Sequence, residues 1–160
     1  MCISKLSLGT AQFGSPYGIT RGATTIDEAE LASVIVAART LGINKIDTSQ
    51  SYGTAEKRLG QLDLFGFEIT TKLYVPKTRA QLKKYDPVEH LEASLRDLRV
   101  DSVKSVLIHN AHELEYELQE HENFPETNDA YMDLFNEMTI KIVKYMRSEL
   151  FQPMTNEDLK

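Results

Sequence analysis

Short strand-like and helix-like segments alternate along residues 5–109 of this 160-residue chain, and that order leaves few folds open. Lys5 to Ala11 reads as a first strand, with Leu6 and Leu8 on its buried face and Gly9 at its end. Lys45 to Thr48 reads as a second strand centred on Ile46. Phe67 to Leu73 is a third, rich in aromatic and β-branched residues. Val103 to His109 is a fourth, and its run Val106-Leu107-Ile108 has the pattern of a strand covered on both faces. Strands separated by helices run parallel, with right-handed crossovers.

The helices carry their own punctuation. Residues 25–41 have an apolar stripe of Leu31, Val34, Ile35 and Ala38, a capping-box pattern at Thr25 and Glu28, and Gly42 as a stop. Thr54 to Leu62 reads as a short helix with Ala55, Leu59 and Leu62 inward. Asp86 to Leu98 is the clearest: Asp86 is the N-cap, Pro87 sits at the first helical position, and Glu89 completes a capping box. Its stripe is Val88, Leu91, Leu95 and Leu98.

Past residue 110 the pattern weakens. His112 to Glu126 is an acidic stretch with Glu113, Glu115, Glu117 and Glu120. Asn128 to Met138 reads as a helix, Lys141 to Met146 as a fifth strand, and Pro153 to Lys160 as a loop and a first helical turn.

Composition narrows the partners. Hydrophobic content of 41%, with 26% charged residues, suits a soluble globular domain, and the chain is long enough for one core. A net charge of -6 argues against a nucleic-acid or anionic-membrane partner, which clustered Lys and Arg would favour. A local basic pocket for a phosphate-bearing cofactor remains compatible with it. The single cysteine, Cys2, excludes an intramolecular disulfide framework and a multi-cysteine metal site, and fits a reducing cytosol. No apolar run approaches the ~20 residues of a membrane span, and MCISKLSLGT has no signal-peptide core. The expected location is cytoplasmic.

Four residues suited to proton chemistry lie at or just past strand ends: Asp47, Tyr52, Lys72 and His109. Sites in (β/α) barrels are built at that end of the strands. A phenol at Tyr52 can protonate a carbonyl oxygen when a neighbouring cation stabilises the phenolate left behind. Lys72 is the candidate cation. A buried lysine needs a partner, and Asp47 is suited to it. His109 can orient the substrate oxygen or share the proton. Each also has a plainer reading: Tyr52 as a loop aromatic at the rim, Lys72 as a strand-end lysine reaching solvent, Asp47-Thr48 as a turn pair, and His109-Asn110 as a strand cap. What favours the functional reading is the coincidence of four such types at three successive strand ends.

His90, His112 and His121 form no metal-ligand pattern with one another, and no metal is expected. Gly14, Gly18 and Gly22 do not make a GxGxxG fingerprint and read as turn glycines.

Leu8-Gly9-Thr10-Ala11-Gln12-Phe13-Gly14 resembles the opening strand of the aldo-keto reductases. Gly42 to Thr48, then Tyr52-Gly53, Glu56 and Leu59-Gly60, resemble that family's second strand and active-site loop. Ile69-Thr70-Thr71-Lys72 is similar to its third-strand lysine motif. Ser94 to Leu98, Asp101 and Leu107-Ile108-His109-Asn110 are similar to its third helix and fourth strand. The likeness is strongest over residues 5–110, and residues 111–160 diverge within what reads as a single domain of residues 1–160.

The resemblance implies a (β/α)8 TIM barrel and NADPH-dependent reduction of an aldehyde or ketone. It implies Tyr52 as general acid, Lys72 and Asp47 as the groups that tune it, and His109 as the carbonyl's positioner. Thr10 and Asp47 then lie near the nicotinamide end of the cofactor. A barrel of this kind takes ~250 residues, so the expected fold is its N-terminal portion: about four to five parallel strands with flanking helices, truncated relative to the family. The family's later strands carry most contacts to the cofactor, and Val143 to Leu150 lacks the glycine expected at the fifth strand. Two functions follow. One is the reductase; the other is an inactive half-barrel that binds no cofactor productively and acts by interaction. In either, open sheet edges favour self-association.

Overall fold

The computed structural model describes residues 5–17, 25–74, 81, 84–109, 136–137 and 139–142. Four strands, β1 (Leu8–Gly9), β2 (Lys45–Asp47), β3 (Glu68–Leu73) and β4 (Ser105–Ile108), form one sheet in the order β1-β2-β3-β4. All three pairings are parallel. Helices α1 (Ala11–Gly14) and α2 (Glu28–Thr40) lie between β1 and β2, α3 (Ala55–Leu59) between β2 and β3, and α4 (Pro87–Leu98) before β4.

Register decides which side chains share a face. Leu8, Ile46 and Ile69 stand in one row, and Asp47 stands beside Thr70. Along β3 burial alternates, with Ile69, Thr71 and Leu73 buried and Thr70 and Lys72 half-buried. The period of two in a strand puts these sets on opposite faces. One face joins Leu31 and Ile35 of α2, Leu59 of α3 and Leu98 of α4 in a single core with Ile46 and Ile69. The other face carries Asp47, Thr70 and Lys72.

The helix ends follow local chemistry. The Asp27 carboxylate accepts from Glu30 N–H at 2.7 Å and caps α2, in place of the expected Thr25 pattern. At the other end Gly42 adopts φ 73°, which L side chains resist. Its N–H donates to Arg39 O and that of Ile43 to Ala38 O, the paired bonds of a Schellman stop. Asp86 accepts from Val88 N–H at 2.9 Å at the start of α4.

Three further expectations change. The first strand does not extend over residues 5–11. Leu6 is exposed, and the strand stops after Gly9: Thr10 N–H makes the last ladder bond, to Asp47 O, with its hydroxyl on the same oxygen, and Phe13 N–H then turns back to Thr10 O and starts α1. Second, β4 is not covered on both faces: Leu107 is 48% exposed. Its register partner is Lys72, so it lies on the polar face, and β4 has a neighbour on one side among the described strands. Third, Lys141 and Ile142 of the expected fifth strand are helical, and Lys141 pairs with Glu137 one turn earlier at 3.3 Å, a spacing that supports helix. Residues 143–146 of that segment, the acidic stretch 112–126, residues 128–135 and the tail 153–160 lie outside the described residues.

The chain divides into two compact units, one of Met1–Val75 with His90–Ala111 and one of Pro76–Glu89 with His112–Lys160. The sheet and the residues Asp47, Tyr52, Lys72 and His109 belong to the first.

Candidate active site

β2 ends at Asp47, beside Thr70, and β3 runs three residues further, so Lys72 stands two rows past the last residue of β2. Its ammonium folds back. Lys72 Nζ lies 2.5 Å from Asp47 Oδ1, 3.0 Å from Thr48 O and 3.2 Å from the Tyr52 hydroxyl. An ammonium has three protons and no lone pair, so three acceptors saturate it. Tyr52 Oη is therefore an acceptor toward Lys72, and its own proton is left for another partner. The cation also stands 4.9 Å from the centre of the Tyr52 ring.

Tyr52 owes its place to a tight turn. Its N–H donates to Ser49 O, and its carbonyl accepts from Ala55 N–H as α3 begins. α1 passes against that turn so closely that a Cβ on Gly14 would overlap the Tyr52 carbonyl. A glycine is required there by contact. His109 follows β4, with its N–H on Leu73 O at 2.9 Å. Its ring meets Tyr52 edge to face at 5.5 Å between centres. Its Nδ1 lies 2.7 Å from Ser49 Oγ.

The structure thus brings Asp47, Tyr52, Lys72 and His109 together at one end of the sheet. Thr10 is adjacent but buried, with its hydroxyl on Asp47 O at 3.0 Å, so it holds the backbone beneath the carboxylate. The side chains of Asp47 and Lys72 are 36% and 15% exposed, which leaves the carboxylate within reach of a ligand. Among the described residues no group of three or more His, Cys, Asp or Glu is placed to hold a metal ion. His112 and His121 lie outside the described residues.

Sequence reasoning gave no role to several buried polar residues. Glu56 of α3 is buried, and its carboxylate accepts from Thr71 Oγ of β3 and, at 2.9 Å, from Ser94 Oγ of α4. Burial pushes its pKa up from 4.5, against the opposing pull of the two hydroxyls. Ser94 was the available signal, a polar residue on the buried stripe between Leu91 and Leu98. Arg58 ties α3 to α1 and to the start of α2, donating to Phe13 O, to Ile26 O at 2.6 Å and to Glu28 Oε1 at 2.8 Å. Ser49, fully buried, is the contact of His109.

The profile of the Aldo/keto reductase family matches residues 5–145. Among solved structures, the Pseudomonas aeruginosa protein PA4992, assigned to the aldo-keto reductases, is 32% identical with a TM-score of 0.51; the match covers 64% of this chain and 41% of that one. A second structure of an assigned aldo-keto reductase from that organism is 30% identical with a TM-score of 0.50, over 64% of this chain and 40% of its own. The chain thus spans less than half the length of these proteins. No curated protein gives a significant match. The four parallel strands and their helices correspond to the N-terminal part of a (β/α)8 barrel. With the profile covering most of its length, this chain belongs to the aldo/keto reductase family.

Proposed function

We propose that this chain carries the proton-delivery half of a carbonyl reductase, acting on a small aldehyde or ketone with NADPH as cosubstrate. The observation that supports this most is the saturated ammonium of Lys72, which fixes Tyr52 Oη as its acceptor. The phenol proton is then free for a carbonyl oxygen. As it leaves, negative charge grows on Oη beside a cation already in position, and no reorganisation is needed. Asp47 keeps the half-buried ammonium paired and aimed. His109, against the edge of Tyr52, holds the substrate oxygen.

The cofactor, when bound, supplies hydride to the carbonyl carbon. The residues fit its nicotinamide end: the Asp47 carboxylate can accept from a carboxamide or ribose hydroxyl, over the floor held by Thr10. For its phosphates the described residues offer little, since Lys72, the cation in contact with this site, is already engaged. We assign the protein to the cytoplasm; no described helix is long and apolar enough to cross a membrane.

A fluorescence titration of the 160-residue chain with NADPH tests this reading. Saturable binding is expected, and its absence would favour the inactive half-barrel. With binding established, Tyr52→Phe should lower carbonyl reduction by about 10²–10⁴-fold and leave NADPH affinity unchanged. Unaltered turnover would remove Tyr52 from the mechanism.

A further inference from the structure

We infer that Ser49 is a positioning residue that holds His109 in its Nε2–H tautomer, so that a neutral imidazole presents a proton to the substrate oxygen. The role in reduction rests on the function proposed above; the tautomer itself does not.

Three polar atoms surround Ser49 Oγ: His109 Nδ1 at 2.7 Å, Ser51 N at 3.1 Å and Lys72 O at 3.3 Å. Ser49 is fully buried, so water does not compete for it. A hydroxyl has one proton and two lone pairs. The Ser51 N–H can only donate, so it takes one lone pair. The remaining question is whether the hydroxyl proton goes to Nδ1 or to the Lys72 carbonyl.

Distance and demand both select Nδ1. An O–H donor prefers about 2.7–2.8 Å and weakens at longer range, which favours the imidazole over the carbonyl at 3.3 Å. The Lys72 carbonyl has a second donor in Gln50 N–H, so it is not orphaned without Ser49. With the opposite assignment Oγ would accept two N–H bonds and send its proton to the more distant partner. A bare Nδ1 accepts from Ser49 Oγ, and a neutral ring then carries its proton on Nε2. Edge packing against Tyr52 limits rotation of the same ring. A neutral His109 in this form donates to a carbonyl oxygen. The other tautomer would point a lone pair at it.

Long-range 1H–15N correlation spectra of the uniformly labelled chain, recorded in alkaline buffer where imidazoles are neutral, read the tautomer directly. His109 is assigned by loss of its signals in His109→Gln. In the wild type Nδ1 should be a pyridine-type and Nε2 a pyrrole-type nitrogen, with the Nδ1–H form below detection. Ser49→Ala, checked for an intact amide spectrum, should raise the Nδ1–H fraction to that of a free histidine peptide. A protonated Nδ1 in the wild type overturns the inference whatever the variant does. So does a tautomer ratio that Ser49→Ala leaves unchanged. Neither cofactor nor substrate is present, so a failed NADPH titration and a failed tautomer assignment are separate results.

Discussion

Glu56 and Arg58 sit two positions apart on α3 and show how much of this unit depends on single buried polar groups. Glu56 is desolvated, so its carboxyl keeps its proton in the folded state to a higher pH than in the unfolded chain. As pH rises past 4.5, the unfolded form ionises first, and stability falls until the folded form ionises as well. Glu56→Gln removes that slope while keeping an acceptor for Thr71. Denaturant unfolding across that window should show the variant gaining on the wild type as pH rises; parallel curves would contradict the account. Arg58 acts through donors. Its side chain is 13% exposed, and losing it strips the Phe13 and Ile26 carbonyls of charged partners. Unsatisfied groups of this kind cost about 1–3 kcal/mol each, so Arg58→Met should destabilise by about 3 kcal/mol in equilibrium unfolding. Arg58→Lys should recover only part of this, because one ammonium cannot reach acceptors spread across a guanidinium's fork.

At the level of elements, two glycines separate backbone strain from contact. Gly42 ends α2 at φ 73° with open space where a Cβ would stand, so Gly42→Ala should cost about 1–2 kcal/mol and nothing more. Gly14 ends α1 against the turn that carries Tyr52, and there a Cβ meets backbone, which cannot step aside as a side-chain tip would. Gly14→Ala should therefore lower the melting temperature further than Gly42→Ala. It should also change the Tyr52 resonances in labelled-tyrosine spectra, which Gly42→Ala leaves in place. Equal melting shifts in the two variants would argue against a packed α1–turn contact. The first strand is shorter than its apolar pattern suggests because Phe13 N–H turns back to Thr10 O directly after the last ladder bond, Thr10 N–H to Asp47 O, and the chain enters α1.

For the whole molecule the open question is the sheet's two outer edges. β1 and β4 each pair on one side among the described strands, and Leu107 of β4 is half exposed beside Lys72. Unpaired strand edges are templates for another chain. Sedimentation velocity over a range of concentrations should therefore show self-association, and a single monomeric species throughout would contradict it. The alternation of periods in the sequence was enough for the parallel β-α order and the inward helix stripes, because Leu31, Ile35, Leu91 and Leu98 state their burial through spacing. Leu107 shows where this ends. An apolar residue in a strand does not declare which face it takes; register does, and register belongs to the pairing with β3.

Local spacing alone determined the parallel β-α order and which strand ends carry Asp47, Tyr52, Lys72 and His109, because side-chain period and capping act within a few residues. Only the tertiary structure decided that Lys72 divides its three protons among Asp47, Thr48 and Tyr52, that Ser49 meets His109 sixty positions away, and that Glu56 is buried between Thr71 and Ser94. Hydrogen bonds of this kind depend on distances between atoms remote in the chain. Those distances exist once the strands have paired in register.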